Sequence, residues 1–145
     1  MNRSGNLGAI LVPTDFSPEA VRALDLALAL RAPDGEVTLL HVLDTELASR
    51  VAKLGIAPHE EALAKMRARS DEEASWLAKE KGGGFDVMVV EGVPFVEILK
   101  IASDLDVDMI AMGTRGASTE MKDILFGGTA EKVLRAARCP VLCVP

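Results

Sequence analysis

The chain has 145 residues, 16 Lys+Arg against 22 Asp+Glu, and a formal charge of −6. That length suits one domain with a sizeable core, and a hydrophobic fraction of 49% excludes global disorder. The acidic balance and an aromatic content of 3% argue against nucleic acid as a partner, because neither phosphate-binding cations nor stacking platforms are in excess. Anionic membranes are disfavoured on the same ground, and no apolar run approaches the roughly 20 residues of a membrane span. The apolar run Ala9–Val12 is too short for a signal peptide, so a cytoplasmic location is expected.

In chain order, Ala9-Ile10-Leu11-Val12 is a short apolar strand stopped by Pro13. Ser17-Pro18-Glu19 then opens a helix, with Ser as N-cap, Pro in the first turn and Glu near the positive end of the helix dipole. Its apolar positions run through Leu28, and Pro33-Asp34-Gly35 is expected to end it. Glu36–Val42 reads as a second strand, and residues 44–57 as an irregular, partly helical connection. From His59 to Lys81 a long half-exposed helix is expected, its apolar stripe of Leu63, Met66, Ala74 and Leu77 interrupted by Ser70.

Gly82-Gly83-Gly84 leads into a third strand, Phe85–Val90, and Gly92-Val93-Pro94 opens a helix with Phe95, Ile98, Leu99, Ala102 and Leu105 on its apolar face. Met109–Met112 is a fourth strand. A long loop from Gly113 to about Gly128 precedes a helix with Ala130, Val133, Leu134 and Ala137 on one face, and Val141–Val144 is the last strand. Strands apolar on both faces and separated by helices specify a parallel sheet covered on both sides, a single doubly wound α/β domain over residues 1–145 with about four helices.

In such sheets ligands bind at the carboxyl ends of the strands. Three segments leave strands at that edge: Pro13-Thr14-Asp15, His41-Val42-Leu43-Asp44 and Met112-Gly113-Thr114-Arg115-Gly116. Glycines let a backbone approach a ligand closely, and Gly127-Gly128-Thr129 falls where a helix begins, an arrangement suited to phosphate. The same glycines also fit ordinary turns and a helix entry. Neither a P-loop nor a G-x-G-x-x-G fingerprint is present.

Other chemistry is sparse. Asp104, Asp106 and Asp108 alternate like a calcium loop, but Met109 and Arg115 occupy its required Gly and Glu positions. No His/Cys cluster has zinc spacing. Asp15 fits a turn carboxylate, His41 a packed core histidine and His59 a solvated one. Cys139 and Cys143 read as small buried hydrophobes, too far apart along a strand to bridge.

Taken together, Ile10-Leu11-Val12-Pro13-Thr14-Asp15-Phe16-Ser17, Leu39-Leu40-His41-Val42, Gly92-Val93-Pro94, Asp106–Gly116 and Cys139–Val144 resemble the universal stress proteins over nearly the whole chain. The resemblance implies a five-stranded parallel sheet in the order 3-2-1-4-5 and a homodimer joined through the last strand, residues 141–144. It also implies ATP binding through a pattern of G-x-x-G, nine residues, then G-[S/T]. Gly113, Gly116 and Gly127 match that pattern, whereas ten residues (117–126) intervene and Gly128 stands where Ser or Thr is usual, with Thr129 one place later.

On this resemblance Pro13, Thr14, Asp15 and Val42 would line the adenine and ribose end. Met112, Gly113, Arg115 and Gly116 would meet ribose and phosphates, and Gly127, Gly128 and Thr129 the phosphate tail. Any Mg2+ would arrive on the phosphates, and no catalytic residue is assigned. The expected function is a dimeric, ATP-dependent regulator of the stress response acting on a protein partner. The alternatives are a slow ATPase or nucleotidyl transferase using the same pocket, and a nucleotide-free scaffold.

Overall fold

The computed structural model describes residues 7–115 and 127–145. Its elements are β1 (Leu7–Pro13), α1 (Pro18–Leu30), β2 (Arg31–Asp44), α2 (Thr45–Lys53), α3 (His59–Glu80), β3 (Asp86–Gly92), α4 (Pro94–Asp104), β4 (Met109–Gly113), α5 (Gly128–Ala136) and β5 (Val141–Val144). The sheet is five-stranded, in the order β3-β2-β1-β4-β5, with every pair parallel. The doubly wound architecture expected from the alternation of apolar runs and helical patterns is the one observed.

Side-chain alternation along β1 divides the core. Ile10 and Val12 pack with Ala23, Leu24 and Ala27 of α1 and Leu77 of α3, while Leu11 faces Ile98 and Ala102 of α4 and Ala130 and Val133 of α5. A third cluster, Leu43, Ala48, Ala62 and Leu63, seats α2 and the start of α3. Burying an aliphatic side chain of this kind stabilises the fold by about 1.5–3 kcal/mol.

Four local expectations are revised. The connection 44–57 contains a full helix, α2, which brings the described helices to five. It starts because Asp44 Oδ1 accepts the N–H groups of Glu46 and Leu47 at 3.0 and 3.2 Å. Second, α1 ends at Leu30, and Pro33-Asp34-Gly35 lies inside β2 as an irregularity: Leu7 pairs with Arg31, but Ala9 pairs with Glu36. Third, Leu105 and Leu134, placed on apolar faces by spacing, are 42% and 38% exposed.

The fourth concerns Ser70. It does not interrupt the buried face of α3; it is fully buried at its centre, seven residues from both Leu63 and Leu77.

Two smaller readings are resolved as well. The Asp108 carboxylate accepts the N–H groups of Gly8 and Ala9 at 2.9 and 3.0 Å, fastening the start of β1 beside β4. Cys139 and Cys143 are free thiols, half-buried rather than buried as expected, and desolvation raises the pKa of each.

Candidate functional site

The carboxyl ends of β1, β2 and β4 converge on a cavity of about 370 Å3, within the range usual for small-molecule sites. Pro13, Thr14, Asp15, Val42, Met112, Gly113, Arg115, Gly127, Gly128 and Thr129 all line it. Gly116 and the ten-residue stretch 117–126 lie outside the described residues.

The wall that follows β1 is a tightly bonded turn. Thr14 donates its N–H to the Leu40 carbonyl at 2.8 Å, anchoring the turn to β2. Its hydroxyl accepts the Phe16 N–H at 2.9 Å, and Asp15 Oδ1 accepts the Ser17 N–H at 3.0 Å. Ser17 caps α1 by accepting the Ala20 N–H at 3.2 Å. This network holds Phe16 at φ +63°, a conformation a bulky side chain adopts only when its surroundings over-determine it. The expected Asx turn at Asp15 is present, and the residue also lines the cavity.

Beneath that turn sits His41. Its Nδ1 is 2.7 Å from the Ser70 hydroxyl, and its ring meets Phe16 edge to face with centroids 4.9 Å apart. Burial lowers its pKa, and the negative charge of Asp15 opposes that shift in part.

The opposite wall is built from backbone. A Cβ on Gly113 would come within 2.8 Å of Glu19 Cβ and 3.1 Å of Ala20 N, so this glycine lets β4 pass close to the start of α1. A Cβ on Gly127 would lie 2.5 Å from the Arg115 carbonyl oxygen, while its N–H donates to the Thr114 carbonyl at 2.6 Å. Both glycines therefore have a packing reason to be glycine. Gly128 differs: an added Cβ would meet nothing within 4 Å.

Helices α4 and α5 begin at this cavity, at Pro94 and Gly128, and among the described residues neither N-terminus has a side-chain cap. The contrast with the capped α1 and α2 leaves the positive ends of two helix dipoles facing one cavity. Among the described residues no group of three or more His, Cys, Asp or Glu could hold a metal ion.

Several lining residues escaped the motif reading. Leu47 of α2, Met66 of α3 and Ile98 of α4 complete an apolar side next to Val42. Their only signal is apolar spacing on helices, which does not reveal that they reach the sheet edge. Asp44 and His41 were recognisable as strand-end residues, whereas the partnership of His41 with Ser70 was not.

The universal stress protein family matches residues 7–145. Universal stress protein MJ0577 of Methanocaldococcus jannaschii is 36% identical over 151 residues, covering 93% of each chain. Its structure aligns with a TM-score of 0.81 over 95% of each chain. Universal stress protein YxiE of Bacillus subtilis is 31% identical over 144 residues, covering 93% of this chain and 97% of that one. A universal stress protein solved in complex with cAMP shares the fold, with a TM-score of 0.63 at 22% identity over 97% of this chain and 98% of that one. The sheet order, the glycine-built wall and these likenesses agree: the chain belongs to the universal stress protein family.

Proposed function

We propose that this chain binds ATP in the cavity at the carboxyl ends of β1, β2 and β4 and acts as a dimeric, nucleotide-dependent regulator. One observation carries the reading. A single cavity joins an apolar side, suited to a purine, to two helix N-termini without side-chain caps, suited to phosphates. Asp15 and Val42 would meet the adenosine end, and Gly127, Gly128 and Thr129 the phosphate tail. Mg2+ would come with the phosphates. The cAMP-bound relative has an adenine nucleotide on this fold, at an identity that speaks for the fold alone.

Regulation rather than turnover fits the residues. Hydrolysis needs a positioned base and neutralisation of transition-state charge. Asp15 already accepts the Ser17 N–H. Binding would instead favour one arrangement of the wall formed by Gly113, Arg115 and Gly127–Thr129, changing the surface offered to a partner. For the dimer, β5 lies at the sheet edge with Val141, Leu142 and Cys143 half-buried, and an apolar edge of this kind favours pairing with a second copy. A concentration-independent monomer in sedimentation would remove the dimer from the reading. No described helix is long and apolar enough to cross a membrane.

The decisive experiment denatures freshly purified protein, identifies any released nucleotide by chromatography and follows with ATP calorimetry. Co-purified ATP or micromolar binding is expected. Absence of both, with an intact fold, turns the chain into a scaffold. Bound ATP at a hundredfold above Kd stabilises the fold by about 2.7 kcal/mol, readable as a rise in Tm.

A further inference from the structure

We propose that His41 is a specificity-determining residue of the cavity: its Nε2–H donates to a ring nitrogen of the bound purine, and Ser70 is the positioning residue that keeps the proton on Nε2. The inference rests on the nucleotide reading and names a contact that selects its base.

The arrangement starts in the core. Ser70 lies mid-helix in α3 and is fully buried, and among the described residues its hydrogen-bond partner is His41 Nδ1 at 2.7 Å. A hydroxyl proton sealed among apolar side chains is costly if left unbonded, so it points at Nδ1. An accepting Nδ1 carries no proton of its own, which puts the single proton of the neutral imidazole on Nε2. Burial pulls the pKa of the ring below its ordinary value and keeps it neutral near neutrality.

Nε2 in turn opens on the cavity. The two nitrogens sit on opposite edges of the ring, so with Nδ1 turned to α3 the Nε2–H points away from that helix. Among the described residues, every buried side-chain nitrogen and oxygen has a hydrogen-bond partner. Nδ1 has Ser70, whereas Nε2 forms no hydrogen bond with a described residue and is therefore not sealed; the ring is half-buried and borders the cavity. Phe16 packs edge to face on the ring with centroids 4.9 Å apart and restrains its plane.

Strand alternation decides which end of a nucleotide this donor meets. Leu39 packs with α1 and α3, whereas Leu40 and Val42 pack with α4 and α5. His41 shares the side of Leu39. The N-termini of α4 and α5, suited to phosphates, belong to the other side. Met66, one turn before Ser70 on α3, lines the cavity next to the apolar surface suited to a purine. Ribose hydroxyls bring protons that call for an acceptor such as the Asp15 carboxylate, which lines the same cavity. A purine ring nitrogen is a pure acceptor in a flat apolar body, and a donor is what His41 offers it.

Calorimetry on the intact protein compares adenosine with three analogues in which the nitrogen at ring position one, three or seven is replaced by C–H. Wild type is expected to bind one of them about three- to tenfold more weakly through loss of this hydrogen bond. His41→Leu, made together with Ser70→Ala so that no buried hydroxyl is stranded, should weaken adenosine by the same factor and erase the deficit of that analogue. His41→Gln, whose side-chain amide nitrogen stands in for Nε2, should recover part of the affinity and the deficit with it. Nitrogen chemical shifts of the ligand-free wild-type ring should report the Nε2–H tautomer, and Ser70→Ala should move them toward a mixture.

An Nδ1–H tautomer in the wild type, or analogue deficits that all persist in the double variant, overturns the inference while ATP binding stands. So does a His41 effect that disappears only with analogues lacking a ribose hydroxyl. Failure of the wild type to bind either ATP or adenosine overturns the nucleotide reading and this contact with it.

Discussion

The two walls of the cavity are made by different means. On the β1–β2 side, side chains do the work: Thr14, Asp15 and Ser17 each accept a backbone N–H, and His41 is pinned between Ser70 and Phe16. On the β4–α5 side, missing side chains do it, since Gly113 and Gly127 permit approaches to backbone that no Cβ would allow. The first wall resists change through polar satisfaction, the second through close packing. Among the described glycines of the cavity, Gly128 stands clear of both constraints.

Substitutions separate the two designs. The largest loss is expected from Gly127→Val, which drives a side chain into the Arg115 carbonyl and should cost about 3 kcal/mol in urea unfolding. Gly113→Val should follow at about 2 kcal/mol, since its tightest contact, Glu19 Cβ at 2.8 Å, is less close than the 2.5 Å between an added Gly127 Cβ and the Arg115 carbonyl oxygen. On the other wall, Thr14→Val leaves the Phe16 N–H without its acceptor and should cost about 1–2 kcal/mol. Ser17→Ala removes the α1 cap for about 1 kcal/mol. If the Thr14 and Ser17 variants proved more damaging than the glycine ones, the contrast between the walls would be reversed.

Gly128→Ala should leave stability unchanged or raise it by a few tenths of a kcal/mol, because alanine is the better helix former. A bulkier Gly128→Leu should weaken ATP in calorimetry with Tm preserved, which makes this the position where ligand and fold are read apart.

The pH response belongs to the first wall as well. The folded-state pKa of His41 lies below its ordinary 6.5, so the unfolded chain binds the proton more readily. This contribution to stability is complete above about pH 6.5 and is lost as pH falls from there toward the folded-state value. A series of Tm measurements in which His41→Gln removes part of the acid slope is the expected result.

Legibility in the sequence follows the same division. Strands such as Ala9–Val12 and Met109–Met112 announce themselves because both faces are apolar, and Ser17-Pro18-Glu19 carries a helix start in three letters. The glycine positions were visible, but their reason was not, since the neighbour that crowds Gly113 is a helix more than ninety residues earlier in the chain. Pro33-Asp34-Gly35 has turn chemistry, yet the β1–β2 ladder runs past it and absorbs it as an irregularity. Ser70 was misread for a simple cause. A polar residue in an apolar stripe looks like a break until the histidine it serves is placed opposite by the fold.

The Asp108 clasp on Gly8 and Ala9 has a consequence for how the molecule is made. It joins residues 100 and 99 positions apart, and β1 lies between β2 and β4 in the sheet. During synthesis β1 can pair with β2 early, but its other edge stays open until β4 has been made, and non-local pairing of this kind is slow. The nascent chain thus carries an apolar central strand with one edge unpaired through most of translation, the interval in which chaperone contact or misassembly is decided. Gly127, Gly128 and Thr129 emerge later still. A ligand in this cavity can therefore rescue only a finished chain, never a growing one.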